Sequence, residues 1–220
     1  IKNDNKKEIN ETQNRSLEFS LLISLPSAIG LYILSNPIIH IFFERGEFLL
    51  EDTFYTAKVL SIFSLGLPAY ILTKVLITSF FAREDTKTPL YISVITVCIN
   101  IFLSLLLIST MREMGIALAT AISAWINVFL LFIILRFKKH LILDAIFLKN
   151  SLKIVISAFI MFVGCYILNR MIFTDLSKLD YSIKVGALFL IIISCKIIYL
   201  TLIFMLKVFS IHDLKRYIKK

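Results

Sequence analysis

Six apolar runs, each near 20 residues long and set apart by charged or turn-forming stretches, dominate this chain. About 20 residues is the length of helix that crosses a hydrocarbon core roughly 30 Å thick. No water serves the backbone there, so every N–H and C=O must be satisfied inside the protein, by helices or by a closed barrel. The runs show no period-2 alternation and are about twice the 9–11 residues of a barrel strand. They predict an all-α polytopic membrane protein, with spans at residues 17–35, 57–82, 90–110, 114–136, 152–169 and 185–206. Composition agrees: 58% of residues are hydrophobic, 18% are charged and the mean hydropathy is +0.86. Soluble domains run at roughly 45–50% apolar and about 25% charged.

The connections carry their own signals. Residues 1–16 are polar, lack the apolar core of a signal peptide and are expected to form a cytoplasmic loop. The chain opens on Ile1 rather than Met, which leads us to expect residues before it. In the segment 36–52, Pro37 ends the first span. Ile38, Ile39, Ile41, Phe42 and Phe43 then precede the charged run Glu44-Arg45-Gly46-Glu47. The segment is too short to span, so a short interfacial helix ending at Gly46 is predicted. Residues 137–151 mix Leu141, Ile142, Ala145, Ile146 and Leu148 with basic residues and read as an amphipathic cytoplasmic loop. Residues 207–220 read as a basic cytoplasmic tail. Pro26, Gly66 and Pro68 are expected to break helices.

The net charge of +9 would suggest nucleic acid on a soluble protein. Here most cations lie between apolar runs, where they set topology, and no nucleic-acid partner is expected. With the first stretch inside, sixteen of the 24 Lys and Arg residues fall on inside loops and span edges and six on outside ones. Both ends of the chain are then cytoplasmic. Basic flanks also meet anionic lipid headgroups.

No catalytic motif or phosphate-binding glycine loop appears, so an enzyme is not expected and no cofactor is implied. Cys98, Cys165 and Cys195 lie in apolar runs and read as packing residues, with no metal-ligand spacing. Lys74 sits about eight residues inside the second span, roughly 12 Å from its end at 1.5 Å per residue. Two readings are open: a stem that snorkels along a kink near Gly66–Pro68, or an ammonium facing a cavity or an anion. Lys196 is deeper still, and three readings are open: it meets an anionic headgroup in a groove, it pairs with a group in the preceding part of the protein, or the span is shifted. The loop Arg83-Glu84-Asp85-Thr86-Lys87-Thr88-Pro89 is part structural, with Pro89 near the start of the third span and Thr86 or Thr88 as its cap. Its charges, on Arg83, Asp85 and Lys87 beside Thr86, also suit a cytoplasmic gate. Asn100 and Ser104 share a helix face and, with Thr120, are the only candidates for a cation site. Without a deep carboxylate they are expected to make interhelical hydrogen bonds instead. Gly115, Ala119 and Ser123 form a small-residue face for close helix packing.

Residues 14–139 resemble the MurJ/MviN lipid II flippase family of the multidrug/oligosaccharidyl-lipid/polysaccharide exporter superfamily. The motifs are Leu34-Ser35-Asn36-Pro37, Phe43-Glu44-Arg45-Gly46-Glu47-Phe48, Asp52-Thr53, Leu65-Gly66-Leu67-Pro68-Ala69 and Lys74-Val75-Leu76. Phe80-Phe81-Ala82-Arg83-Glu84-Asp85-Thr86-Lys87-Thr88-Pro89 is the most specific, with Phe81 and Glu84 departing mildly from the family pattern. The resemblance implies the C-terminal part of a MATE-like fourteen-helix transporter in the bacterial inner membrane. That transporter moves lipid II, an undecaprenyl-diphosphate-linked precursor, between leaflets by alternating access. It implies an N-terminal half as partner, membrane lipids as neighbours and ion or membrane-potential coupling. It also implies a cavity role for Lys74, an outer-face motif at Glu44, Arg45 and Gly46, and a lipid-tail groove on the last two helices. A related drug or polysaccharide exporter and a non-transporting scaffold are the alternatives.

Overall fold

The computed structural model describes residues 2–173 and 180–208, and among these the chain is helical apart from short connections. The helices are α1 (Lys2–Ile33), α2 (Ser35–Phe43), α3 (Leu50–Phe81), α4 (Lys87–Met111), α5 (Glu113–Phe137), α6 (Ala145–Ile172) and α7 (Tyr181–Met205). All but α2 are long and apolar enough to cross a membrane, α1 from Ile9 onward. The six expected spans are present, and α2 occupies the short segment between the first two.

The helices pack as a row: α4 on α5, α5 on α3, α3 on α1, α1 on α6 and α6 on α7, with α2 bridging α3 and α7. Two buried clusters hold the row. One joins Leu17 of α1 to Leu72, Leu76 and Phe80 of α3, Ile92 of α4, and Leu131 and Leu135 of α5. The other joins Ile154, Met161 and Cys165 of α6 to Leu188, Ile191, Cys195 and Tyr199 of α7, with Leu34 and Ile41 beside them. Gly115, Ala119 and Ser123 are all buried, as their spacing predicts. A Cβ on Gly115 would lie 2.5 Å from the Leu107 carbonyl oxygen, so the α4–α5 hairpin closes only because that side chain is missing. Outside this contact α4 is bare: 11% of its span is buried, and Leu90, Phe102 and Leu105 face outward.

Several expectations are corrected. Residues 2–16 are not a loop but the first turns of α1. Nothing before Pro26 breaks a helix, and two of the polar side chains reach other parts of the fold. Gln13 donates to Ser79 Oγ at 2.6 Å and Asn14 to the Ile142 carbonyl at 2.9 Å. Helix α3 starts seven residues before the predicted 57, with Asp52 accepting from the Leu49 amide at 2.9 Å. Residues 145–151 of the expected amphipathic loop belong to α6, whose N-cap Asp144 accepts from the Phe147 amide at 2.5 Å. Leu141 of that loop is buried in the first cluster, so the connection is anchored in protein. The short helix α2 ends at Phe43, before Gly46. Gly46 serves the following turn at φ +61, a region that favours glycine. All but Lys207 and Val208 of the expected basic tail lies outside the described residues.

The prolines act differently from one another. Helix α1 stops at Ile33, whose carbonyl the nitrogen of Pro37 cannot serve, and the chain turns at Leu34. Pro26 and Pro68 lie inside unbroken helices, and Gly66 does too, so the expected breaks are absent. Pro26 leaves the Leu22 carbonyl without its N–H partner. The Tyr199 hydroxyl of α7 donates to that oxygen at 2.9 Å. A neighbouring helix thus repairs the ladder, as lipid requires.

Candidate functional site

A groove of about 510 Å³ runs between α1 and α7. Its walls are Leu22, Ile23, Pro26, Ser27, Gly30 and Leu31 on one side and Ile192, Lys196, Tyr199 and Leu200 on the other. Met161 and Cys165 form the floor. Of the last two helices, α7 supplies one wall of this groove and α6 its floor, while α1 supplies the other wall. Pro26 and Gly30 remove bulk from α1 along this face. Lys196 is the single charged residue on the lining, exposed at the rim and nine residues from the end of α7. The groove can take an alkyl or prenyl chain, and its one ammonium can take an anion beside that chain.

Lys74 lies elsewhere. It is exposed on α3, on a stripe with Phe63, Tyr70, Thr78 and Phe81 that no described helix covers. The structure does not bring Lys74 and Lys196 together in one pocket.

The loop after α3 forms a latch onto the connection between α5 and α6. Asp85 accepts from Lys138 Nζ at 2.6 Å and, through its other oxygen, from the Thr88 amide at 3.1 Å. Lys138 also reaches Thr88 Oγ1 at 3.1 Å. Arg83 donates to the Ser79 carbonyl at 2.6 Å and to the His140 carbonyl at 2.8 Å. The Lys138 ammonium and the two Thr88 donors hold the Asp85 carboxyl down at about 2. Asp85, rather than Thr86 or Thr88, therefore caps α4. Thr86 and Lys87 are exposed and outside this network. Lys138 is the member the sequence did not single out, because its partner lies 53 residues away. Arg83, Lys138, Lys139 and His140 line one side of a polar hollow of about 930 Å³, opposite Asn10, Asn14 and Asp144.

At the other end of α3 lies a second polar chain. Glu44 Oε2 is 2.7 Å from His40 Nδ1 and accepts from Thr53 Oγ1 at 2.6 Å. Lys184 Nζ of α7 lies 3.2 Å from His40 Nε2. Burial alone would raise the Glu44 carboxyl, but the hydrogen bonds from Thr53 and His40 and the nearby positive charge outweigh it and lower it. Arg45 donates to the Phe42 carbonyl at 2.6 Å and closes the turn through Gly46. Of the expected outer-face motif, Glu44 carries the chemistry. His40, Thr53 and Lys184 were not read from the sequence.

The cation candidates do not converge on a charged site. Ser104 Oγ lies 3.4 Å from Asn100 Oδ1 within α4, and Thr120 donates to the Ile116 carbonyl of its own helix at 2.8 Å. The expected interhelical bond belongs instead to Asn127, which donates to Thr96 Oγ1 at 3.2 Å. Among the described residues no three His, Cys, Asp or Glu side chains cluster as a metal site would require.

Six membrane-length helices, an apolar groove with one ammonium and polar networks at both ends define a polytopic α-helical membrane protein. Comparison with known proteins narrows this. The family described as Lipid II flippase MurJ matches residues 1–183. A probable lipid II flippase MurJ of Rhizobium tropici is 35% identical over 221 residues, covering 100% of this chain and 42% of that protein. Its counterpart in Rickettsia prowazekii (strain Madrid E) is 48% identical over 120 residues, 54% of this chain and 24% of that one. A solved structure of lipid II flippase MurJ in the inward closed conformation superposes with a TM-score of 0.69 at 31% identity, over 91% of this chain and 41% of that one. This chain belongs to the lipid II flippase MurJ family. It spans less than half the length of these relatives.

Proposed function

We propose that this chain is the part of a carrier, not an enzyme, that moves lipid II from the inner to the outer leaflet of the bacterial plasma membrane. The observation that carries the reading is the α1–α7 groove: a long apolar trough with a single lysine on its lining. A lipid-linked diphosphate has that same pairing of a prenyl chain and an anion. Lys196 meets the diphosphate at the groove. Lys74 faces the central cavity on the uncovered stripe of α3, toward an N-terminal half that completes a fourteen-helix, MATE-like transporter. The end bearing Asp85 and Lys138 is cytoplasmic, as the excess of cations there supports. Both ends of this chain then lie inside. The Asp85–Lys138 latch stiffens the cytoplasmic gate while the lobes rock, driven by an ion gradient or the membrane potential.

The test is rescue of cells depleted of their own flippase by the complete protein, with an external probe reporting outer-leaflet lipid II. Wild type restores exposure. Lys196→Ala and Lys74→Ala, inserted at normal levels, each reduce it. A charge-assisted hydrogen bond to the diphosphate is worth about 1.5–3 kcal/mol, or roughly tenfold or more in affinity. Wild type that inserts yet exposes no lipid II overturns the reading and favours a drug exporter or a scaffold.

A further inference from the structure

The outer polar chain has one feature that the transport reading does not use. His40 stands between an anion and a cation. Its Nδ1 faces the Glu44 carboxylate at 2.7 Å and its Nε2 faces the Lys184 ammonium at 3.2 Å. An ammonium has only donors, so a hydrogen bond to it requires a bare, accepting Nε2. A carboxylate is an acceptor, so Nδ1 must carry the ring's one proton. Beside an ionised Glu44 and a Lys184 ammonium, both contacts are hydrogen bonds when the ring is neutral and protonated at Nδ1. Protonation at Nε2 sets an N–H against an N–H of like charge, with no acceptor between them. The Glu44 contact survives that change and becomes charge-assisted. The two sides of the ring therefore respond differently: α2 keeps Glu44, and α7 loses His40.

We propose that His40 is a proton-sensitive clasp that holds the start of α7 to the α2–α3 turn when neutral and releases it when protonated. The charged groups around it support this. The part of α1 that follows Glu18 has no ionisable side chain beyond Tyr32. In the α2–α3 turn and the start of α3, Arg45 is bonded to the Phe42 carbonyl, Asp52 to the Leu49 amide and Lys58 lies over the Phe54 ring, while Glu47 and Glu51 are exposed. Glu44 and, from α7, Lys184 are the charged groups in contact with the His40 ring, and Thr53 of α3 bonds Glu44. Glu44 stays ionised across the window in which an imidazole titrates, about pH 5 to 8, because its neighbours lower it. His40 is the imidazole between Glu44 and Lys184, so a change of charge in this network falls on it. The consequence reaches the groove, because Ile38 of α2 and the Ile192–Leu200 stretch of α7 both line it. Only this consequence rests on the proposed function.

Double electron–electron resonance in nanodiscs tests the clasp without measuring transport. Spin labels go at Glu47 and Ser182, both exposed, in the complete protein with its native cysteines replaced. Wild type is expected to show a short, narrow distance at pH 8 and a longer, broader one at pH 5. His40→Gln, which cannot gain a proton, holds one distribution at both pH values. Lys184→Met gives the released distribution at both. A wild-type distance that does not move with pH overturns the proposal, as does a His40→Gln protein that still responds. Either result leaves lipid II transport untouched.

Discussion

Tyr199→Phe in the complete protein removes one hydroxyl and leaves the ring in place. That hydroxyl serves the Leu22 carbonyl, which Pro26 deprives of its helical partner. Tyr199 is 3% exposed, so no solvent replaces the bond. A buried carbonyl left unsatisfied costs about 1–3 kcal/mol. Interhelical hydrogen bonds measured in membranes average about 0.6 kcal/mol and reach about 1.7. The two ranges meet near ~1 kcal/mol, a factor of about 5 in the folding equilibrium. The assay is reversible unfolding in bicelles by steric trapping, run as a double-mutant cycle with Pro26→Ala. Alanine restores an N–H at position 26 within reach of the Leu22 carbonyl. Tyr199→Phe is then expected to cost less than half as much as in the proline background, a coupling of ~0.5–1 kcal/mol. Equal costs in both backgrounds, within about 0.3 kcal/mol, would refute the repair of the ladder by Tyr199.

Other outcomes follow from the same contacts. Gly115→Ala drives a Cβ to 2.5 Å from the Leu107 carbonyl and is expected to cost ~1–3 kcal/mol, read as a lowered melting temperature. Gly164→Ala is the control: its Cβ would meet only Ile198 Cδ1 at 3.8 Å, so it is neutral or mildly stabilising. Asp85→Ala removes both the α4 cap and the anchor of Lys138, whereas Asp85→Asn keeps a capping oxygen and loses only the charge. Tryptic cleavage after Lys138 and Lys139 should rise most for Ala and less for Asn. Because the folded-state Asp85 carboxyl lies near 2, below the ordinary 3.8, its contribution is complete above about pH 4 and is lost as pH falls through about 2. The latch is therefore indifferent to pH across the neutral range, and protease sensitivity that changed between pH 6 and 8 would contradict it.

The spans were legible because the bilayer imposes a length, and length survives in a linear sequence. The helix ends were less so. Polar residues of α1 read as loop, yet Gln13 and Asn14 reach Ser79 and Ile142, 66 and 128 residues away. Leu141 read as a surface residue for the same reason, since only the fold shows that it is a plug in the first cluster. The site divides along the same line. The loop that holds Asp85 is a local motif and could be found. Lys138, which completes it, and Lys184, which completes the His40 chain, are ordinary lysines until the helices pack. Pro26 announced itself as an exception, but the sequence does not say which helix repairs it.

What α7 does follows from how it is tied. Burial in lipid supplies little drive for one apolar helix to stay beside another, so polar contacts and close packing decide where a helix sits. Three such contacts are spaced along α7. At its end, Lys153 of α6 donates to the Leu206 carbonyl at 2.6 Å, and Asn150 lies 3.4 Å from the Val208 carbonyl and 3.3 Å from Glu18 Oε2. These bonds serve carbonyls that a helix terminus leaves open. Midway, Tyr199 holds the Leu22 carbonyl of α1. At its start, Lys184 holds His40. The first two ties contain no imidazole, and the third is made through the His40 ring. A helix fixed at its end and its middle but conditionally at its start can swing only at the start. The wall of the groove is then a lever whose free end lies beside α2, on the side of the membrane opposite the Asp85 latch.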